Sequence, residues 1–153
     1  MEDTGIRSVG ATMPGHLIRR LHQLSTSVFT QRVREAGFDL TPVQFIALDA
    51  LQQNPGIDQA RLAEAIAKDR ATVGAVTDRL VQKKLVKRVV SPRDKRAREL
   101  TLTGAGRATL DALMPVVTEL QAEILPGLTP EEYAQFIALA AKAARAAGPG
   151  DAG

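Results

Sequence analysis

The chain has 153 residues, 44% of them hydrophobic, and a formal net charge of +3 from 20 Lys/Arg against 17 Asp/Glu. That length is enough for one domain with a real core. With no cysteine there are no disulfides, thiol nucleophiles or thiolate metal sites, and no Trp and one Tyr argue against an aromatic cage. No apolar run approaches the roughly eighteen residues of a membrane helix, and the N-terminus lacks a basic-then-apolar signal pattern. The expected compartment is the cytoplasm, without membrane association.

Residues 1–12 are polar and Gly-containing, which predicts mobility. A long helix is predicted over about 15–36, after Pro14, with Leu17, Leu21, Leu24 and Val28 as its buried seam. Beside that seam runs a polar stripe of His16, Arg20, Ser27 and Gln31, with Gln23 at its edge. It reads either as a solvated flank or as the wall of a ligand pocket. His16 and His22 are six apart and face different ways, so they make no helical metal pair. Gly37 ends the helix. Thr41-Pro42-Val43-Gln44 opens the next as a capping box with Pro at the first helical position. That helix carries Phe45, Ile46, Leu48 and Leu51 to about Gln53, with Asp49 expected to be exposed. Asn54-Pro55-Gly56 stops it, and Ile57 could add a short strand to a following sheet.

The stretch 58–103 predicts a short helix, a tight turn, a second helix and a two-stranded hairpin. Asp58 can cap a helix that buries Leu62, Ala63 and Ile66, and Asp69 stands where a second N-cap is needed. In the second helix Val73, Val76, Thr77 and Leu80 share a packing face. The opposite face carries Ala71, Gly74, Ala75, Asp78 and Gln82, small enough for a helix backbone to approach a major groove. Taken alone it is equally a solvated amphipathic helix. Leu85 to Val90 is β-prone, and Leu100 and Leu102 alternate with Thr101 and Thr103. The tip between them, Ser91-Pro92-Arg93-Asp94-Lys95-Arg96-Ala97-Arg98, could reach phosphates or a narrow minor groove. Asp94 is placed to hold the Arg96 guanidinium.

Thr103 can cap a helix running through Leu110, Leu113, Val117, Leu120 and Ile124. Pro115 lies inside it, and an interior Pro costs roughly 3 kcal/mol, so a kink or break is expected there. Pro126-Gly127 ends that helix. Thr129-Pro130-Glu131-Glu132 opens the last one, carrying Tyr133, Phe136, Ile137 and Ala140. The tail from Gly148 is expected to be poorly ordered.

Between positions 68 and 98 stand eleven Lys/Arg and three acids, a local charge of +8, while the remainder sums to −5. Positive charge confined to one structural unit points to a polyanion-binding face. In this setting Leu62-Ala63-Glu64, Thr72-Val73, Asp78-Arg79-Leu80, Leu85-Val86, Asp94 with Arg96, and Leu100 with Leu102-Thr103 resemble the winged helix-turn-helix of the MarR family (multiple-antibiotic-resistance regulators). The similarity spans roughly 14–147. It implies a dimeric bacterial transcription factor, usually a repressor, released from DNA by small ligands or oxidation; cysteine-based oxidation sensing is excluded here. The sequence departs from the pattern at Ala67-Lys68 and at Lys84, where the family often has Gly.

The resulting expectation is a mainly α fold with a small β-hairpin wing. A DNA-binding unit at 55–103 is flanked by dimerisation and ligand helices at 14–54 and 104–147, one regulator domain over 1–153. Arg70, Thr72 and Ala75 would address base edges, Arg79 and Lys83 phosphates, and Arg93, Lys95 and Arg96 would act from the wing, Arg96 in the minor groove. His16, Arg20, Gln23, Ser27 and Phe45 are the candidate effector residues, suited to an aromatic carboxylate or its acyl-CoA. The partners implied are double-stranded DNA, that effector and a second copy of the chain. An architectural DNA-binding protein without effector control is the competing reading. An enzyme is not expected, and no cofactor or metal is implied, since paired catalytic carboxylates, a Gly-rich phosphate loop, a nucleophile elbow and metal spacing are all missing.

Overall fold

Side-chain oxygens cap five of the six α-helices among the described residues. The computed structural model describes residues 9–147 apart from residue 67. In it, Thr41, Asp58, Asp69, Thr103 and Thr129 each accept a hydrogen bond from the backbone N–H three residues on. Thr41 and Thr129 complete capping boxes with Gln44 and Glu132. After a 3-10 turn at Val9–Thr12 come α1 (Pro14–Glu35), α2 (Pro42–Gln53), β1 (Ile57–Asp58), α3 (Gln59–Ala65), α4 (Arg70–Gln82), β2 (Val86–Val90), β3 (Arg98–Leu102), α5 (Gly104–Ile124) and α6 (Pro130–Ala146). The 3-10 turn covers the last four residues of the stretch 1–12. Residues 1–8, Ala67 and the tail from Gly148 lie outside the described residues.

The three strands form one antiparallel sheet in the order β1-β3-β2, so Ile57 does extend the hairpin. Ile57 and Arg88 lie on either side of Leu100, which is fully buried. Leu62 of α3, Val73 and Leu80 of α4, Val86 of β2 and Leu100 of β3 join Leu48 and Leu51 of α2 and Leu110 and Leu113 of α5 in one core. Alternation in the strands and a 3.6-residue period in the helices place these side chains inward.

Two expectations about burial and one about helix continuity are corrected. Leu17, Leu21, Leu24 and Val28 are not the buried seam of α1: Leu17 and Leu24 are exposed, the other two are half-buried, and the buried positions are Phe29 and Val33. Only the C-terminal half of α1 is buried by its own chain, with Phe29 set edge-on to Phe45 of α2 at 6.0 Å. On α2, Ile46 points outward and Asp49 is half-buried, while Gln44, Phe45, Ala47, Leu48 and Leu51 face the core. Of the kink or break expected at Pro115, the break does not occur: the helix is one element from Gly104 to Ile124. Pro115 is exposed, and burial of Leu110, Leu113 and Leu120 on the other side outweighs one missing backbone hydrogen bond.

The joint between the winged unit and α5 is tight. Thr103 donates its hydroxyl to the Lys84 carbonyl at 2.7 Å and its N–H to the Leu85 carbonyl at 3.0 Å. A Cβ on buried Gly106 would stand 2.0 Å from that same Leu85 oxygen, so only glycine lets α5 seat there. Lys84 holds the turn before β2 with φ of 61°, a left-handed conformation that explains why a glycine is expected at this position.

Candidate nucleic-acid interface

The α3–α4 pair is joined by a turn whose exit is fixed by Asp69. Its carboxylate accepts from the Thr72 N–H at 2.8 Å and from the Thr72 hydroxyl at 2.7 Å. The hydroxyl first, and then the N–H, hold the Asp69 carboxyl below its ordinary pKa. Thr72 was expected to address a base edge. Its hydroxyl hydrogen is instead engaged in the cap, which leaves its methyl and a lone pair facing out. Val73, Thr77 and Leu80 are buried and Val76 is half-buried, as the periodicity requires. Ala71, Ala75, Asp78 and Gln82 are exposed and Gly74 is half-buried, so a shallow outer face does run along α4. Arg70 and Arg79 are exposed beside that face, with no hydrogen-bond or ion-pair partner for their side chains among the described residues.

The hairpin tip is a built loop. The buried Ser91 accepts through its hydroxyl from the N–H groups of Arg93 and Asp94, at 3.2 and 3.3 Å. Asp94 accepts from the backbone N–H of Arg96 at 2.9 Å, and its carbonyl accepts from Ala97 N–H at 3.0 Å. The expectation that Asp94 orients the Arg96 guanidinium is therefore corrected. An Asp side chain two residues back reaches the backbone N–H more readily than the end of a long side chain, in an Asx turn. Arg93, Lys95 and Arg96 are exposed.

Two bases of the positive stretch are turned inward. Arg88 of β2 donates to the Asp78 carboxylate on α4 at 2.7 Å, a charge-assisted tie between helix and wing. Lys83, just past the end of α4, donates to the Asp39 carbonyl and reaches the Gln44 side-chain oxygen at 3.5 Å. Sequence reasoning missed Arg88, Ser91, Gln44 and Gly106. Arg88 and Gln44 act through tertiary pairings, with Asp78 and Lys83, that no spacing reveals, whereas Ser91 accepts from N–H groups two and three residues on. Gly106, a glycine in the first turn of a predicted helix, was a signal that could have been used.

The five candidate effector residues do not meet around one cavity of the single chain. His16, Arg20, Gln23 and Ser27 are exposed along α1, His16 lying against the backbone of Gly10, whereas Phe45 is in the core. Gln23 and Ser27 border an open groove along α1 that continues past Thr30 to Arg34. A second groove, of about 790 Å³, is apolar and lies between α1, α5 and α6, with Ile18, Leu21, Ile124, Tyr133, Phe136 and Ile137 among its walls. No helix among the described residues is long and apolar enough to cross a membrane.

Comparison with known proteins gives the same picture. A sequence model of the MarR family matches residues 38–97. The HTH-type transcriptional repressor NicR of Pseudomonas putida is 36% identical over 106 residues, which are 69% of this chain and 66% of NicR, just under two thirds of its length. The PcaV transcriptional regulator of Streptomyces coelicolor, solved in complex with its natural ligand, superposes with a TM-score of 0.83 at 33% identity, over 94% of this chain and 99% of PcaV. BpsR of Bordetella bronchiseptica, whose DNA binding is regulated by 6-hydroxynicotinic acid, superposes with a TM-score of 0.81 at 30% identity, over 92% and 99% of the two chains.

Proposed function

The chain belongs to the MarR family of winged-helix transcriptional regulators, and from that premise we propose that it is a repressor. In this reading it binds a pseudo-palindromic operator as a homodimer and is released by a small aromatic acid or its CoA thioester. The observation that carries the reading is the pairing of a shallow, small-residue face on α4 with exposed, unengaged arginines at Arg70, Arg79, Arg93 and Arg96. The helix face enters the major groove, where Arg70, Thr72 and Ala75 meet base edges. Arg79 neutralises a phosphate, and the wing tip with Arg93, Lys95 and Arg96 follows the backbone into the minor groove. A two-fold dimer sets two such helices roughly 34–36 Å apart, one turn of DNA.

The unit 55–103 reads DNA, and the helices of 14–54 and 104–147 dimerise and hold the effector. Dimerisation is supported by α6, which buries no residue in the single chain, and by the apolar groove beside it. The effector reading is supported by the exposed Arg20 and His16 on α1, which suit an anion. It is supported too by BpsR, whose regulator, 6-hydroxynicotinic acid, is an aromatic carboxylic acid.

Titration of a pseudo-palindromic promoter fragment and of scrambled DNA at two salt concentrations tests the core of this reading. Specific binding that weakens steeply with salt is expected, because displaced counterions are released from the phosphates. Equal affinity for both sequences would make the protein architectural instead. Arg96→Ala should weaken operator binding with little loss of stability, since the side chain has no core contact. An aromatic acid or its CoA thioester should raise the melting temperature and lower operator affinity, and Arg20→Ala should abolish that response while leaving DNA binding intact.

A further inference from the structure

Lys83 was expected to neutralise a phosphate, and its geometry argues against that. It lies at the C-terminal cap of α4, and its side chain is 29% exposed, whereas Arg70 and Arg79 are exposed. The ammonium donates to the backbone carbonyl of Asp39, 44 residues earlier in the chain. It also lies 3.5 Å from the Gln44 side-chain oxygen and 3.9 Å from the Asp39 carboxylate. Gln44 is buried and cannot follow a moving lysine, because the same oxygen accepts from the Thr41 N–H at 3.1 Å in the capping box of α2. All the acceptors facing Lys83 therefore belong to one rigid corner between α1 and α2. An ammonium has three donors, and here the polar groups it reaches all lie at that corner, two as hydrogen-bond acceptors and one as an ion-pair contact.

We propose that Lys83 is a positioning residue, which pins the end of the recognition helix to the α1–α2 corner and makes no contact with DNA. The proposal rests on the reading of α4 as the helix that enters the major groove. The N-terminal end of α4 is set by the Asp69 cap and its middle by the Arg88–Asp78 tie. Lys83 supplies the third point, and it alone among these joins α4 to elements outside the winged unit. A helix held at both ends presents Arg70, Thr72 and Ala75 in one orientation. Released at its C-terminal end it can still meet phosphates but reads bases less accurately, because base contacts need registry and phosphate contacts tolerate slack.

The experiment compares full-length wild type, Lys83→Met, Lys83→Arg and Arg79→Ala on operator and scrambled DNA over a series of salt concentrations. Lys83→Met keeps the aliphatic stem and removes the donors. It is expected to lower the operator-to-scrambled affinity ratio about tenfold while the dependence of log affinity on log salt keeps its slope. Arg79→Ala, the phosphate-contact control, should lower both affinities alike and reduce that slope by about one. Lys83→Arg, which can donate again to the Asp39 carbonyl, should restore the ratio. A loss of stability alone would lower both affinities together and leave the ratio in place. The proposal is overturned if Lys83→Met behaves like Arg79→Ala, or if it leaves the ratio unchanged. Failure of the underlying reading looks different: wild type itself would then show no preference for the operator.

Discussion

In the winged unit Leu62, Leu80 and Leu100 are at most 1% exposed, while Ile18 of α1 and Leu139 of α6 are 65% and 66% exposed. Both regions are helical and carry apolar residues at helical spacing, so local sequence does not separate them. The winged unit closes a core within one chain because its helices lie across a sheet and against α2 and α5. The first half of α1 and the whole of α6 have no such cover. An apolar strip of this extent on a chain otherwise so well packed is the feature on which the proposed dimer interface rests.

The strongest way to break this comparison is to make the open apolar region polar. Ile18→Glu with Leu139→Glu should weaken dimerisation about a thousandfold, near 4 kcal/mol for two buried anchors, with the helical content of the monomer kept. Sedimentation and circular dichroism read the two quantities. A double variant that sediments like wild type would mean these side chains are simply solvated.

The joint between the regions comes next. Gly106→Ala forces a methyl into the Leu85 carbonyl, a clash with backbone that no rotamer relieves. A loss of about 3 kcal/mol in urea unfolding is expected, at the upper end for overpacking. A cost below 1 kcal/mol would show that α5 slides easily on the winged unit.

Lys84→Gly sharpens the same joint from the other side. It relieves the left-handed backbone at the end of α4 but adds glycine's freedom to the unfolded chain, so a net gain of about 0.5 kcal/mol is expected. Destabilisation would mean that the Lys84 side chain contributes more than its backbone costs.

Acid gives the smallest and most even-handed test, since each region has one carboxylate held below its ordinary pKa. Asp69 owes this to the Thr72 hydroxyl and N–H, and Glu132 to the Thr129 N–H. A lowered folded-state value means that each contributes stability fully above the ordinary carboxylate range. That contribution is lost as pH falls through the lowered value. Asp69→Asn should flatten the acid limb for hydrogen exchange in the first turn of α4, and Glu132→Gln for that of α6, neither affecting the other helix. Loss of both limbs in either single variant would show that the two regions open together.

Much of the fold was legible in the chain. Thr41, Asp58, Asp69, Thr103 and Thr129 mark helix starts because capping is a contact between residues three apart, and Leu100 and Leu102 show strand alternation directly. The outer face of α4 followed from the same period. The candidate effector residues did not resolve into a site, because four lie on one open helix face and Phe45 packs elsewhere. A pocket is a relation between elements, and one helix stripe does not contain it.

What the sequence determined by itself was the list of elements, the concentration of positive charge between positions 68 and 98, and the family resemblance, all readable from neighbours a few residues apart. Tertiary structure alone decided that Arg88 and Lys83 turn inward, that α5 passes through Pro115 unbroken, and that the leucines of α1 face out. For the two bases the deciding partner is distant in sequence, Asp78 for Arg88 and Asp39 for Lys83, and for the α1 leucines the single chain provides no cover. Hydrophobic period says which side of a helix wants cover, whereas only the packed chain says whether anything is there to cover it.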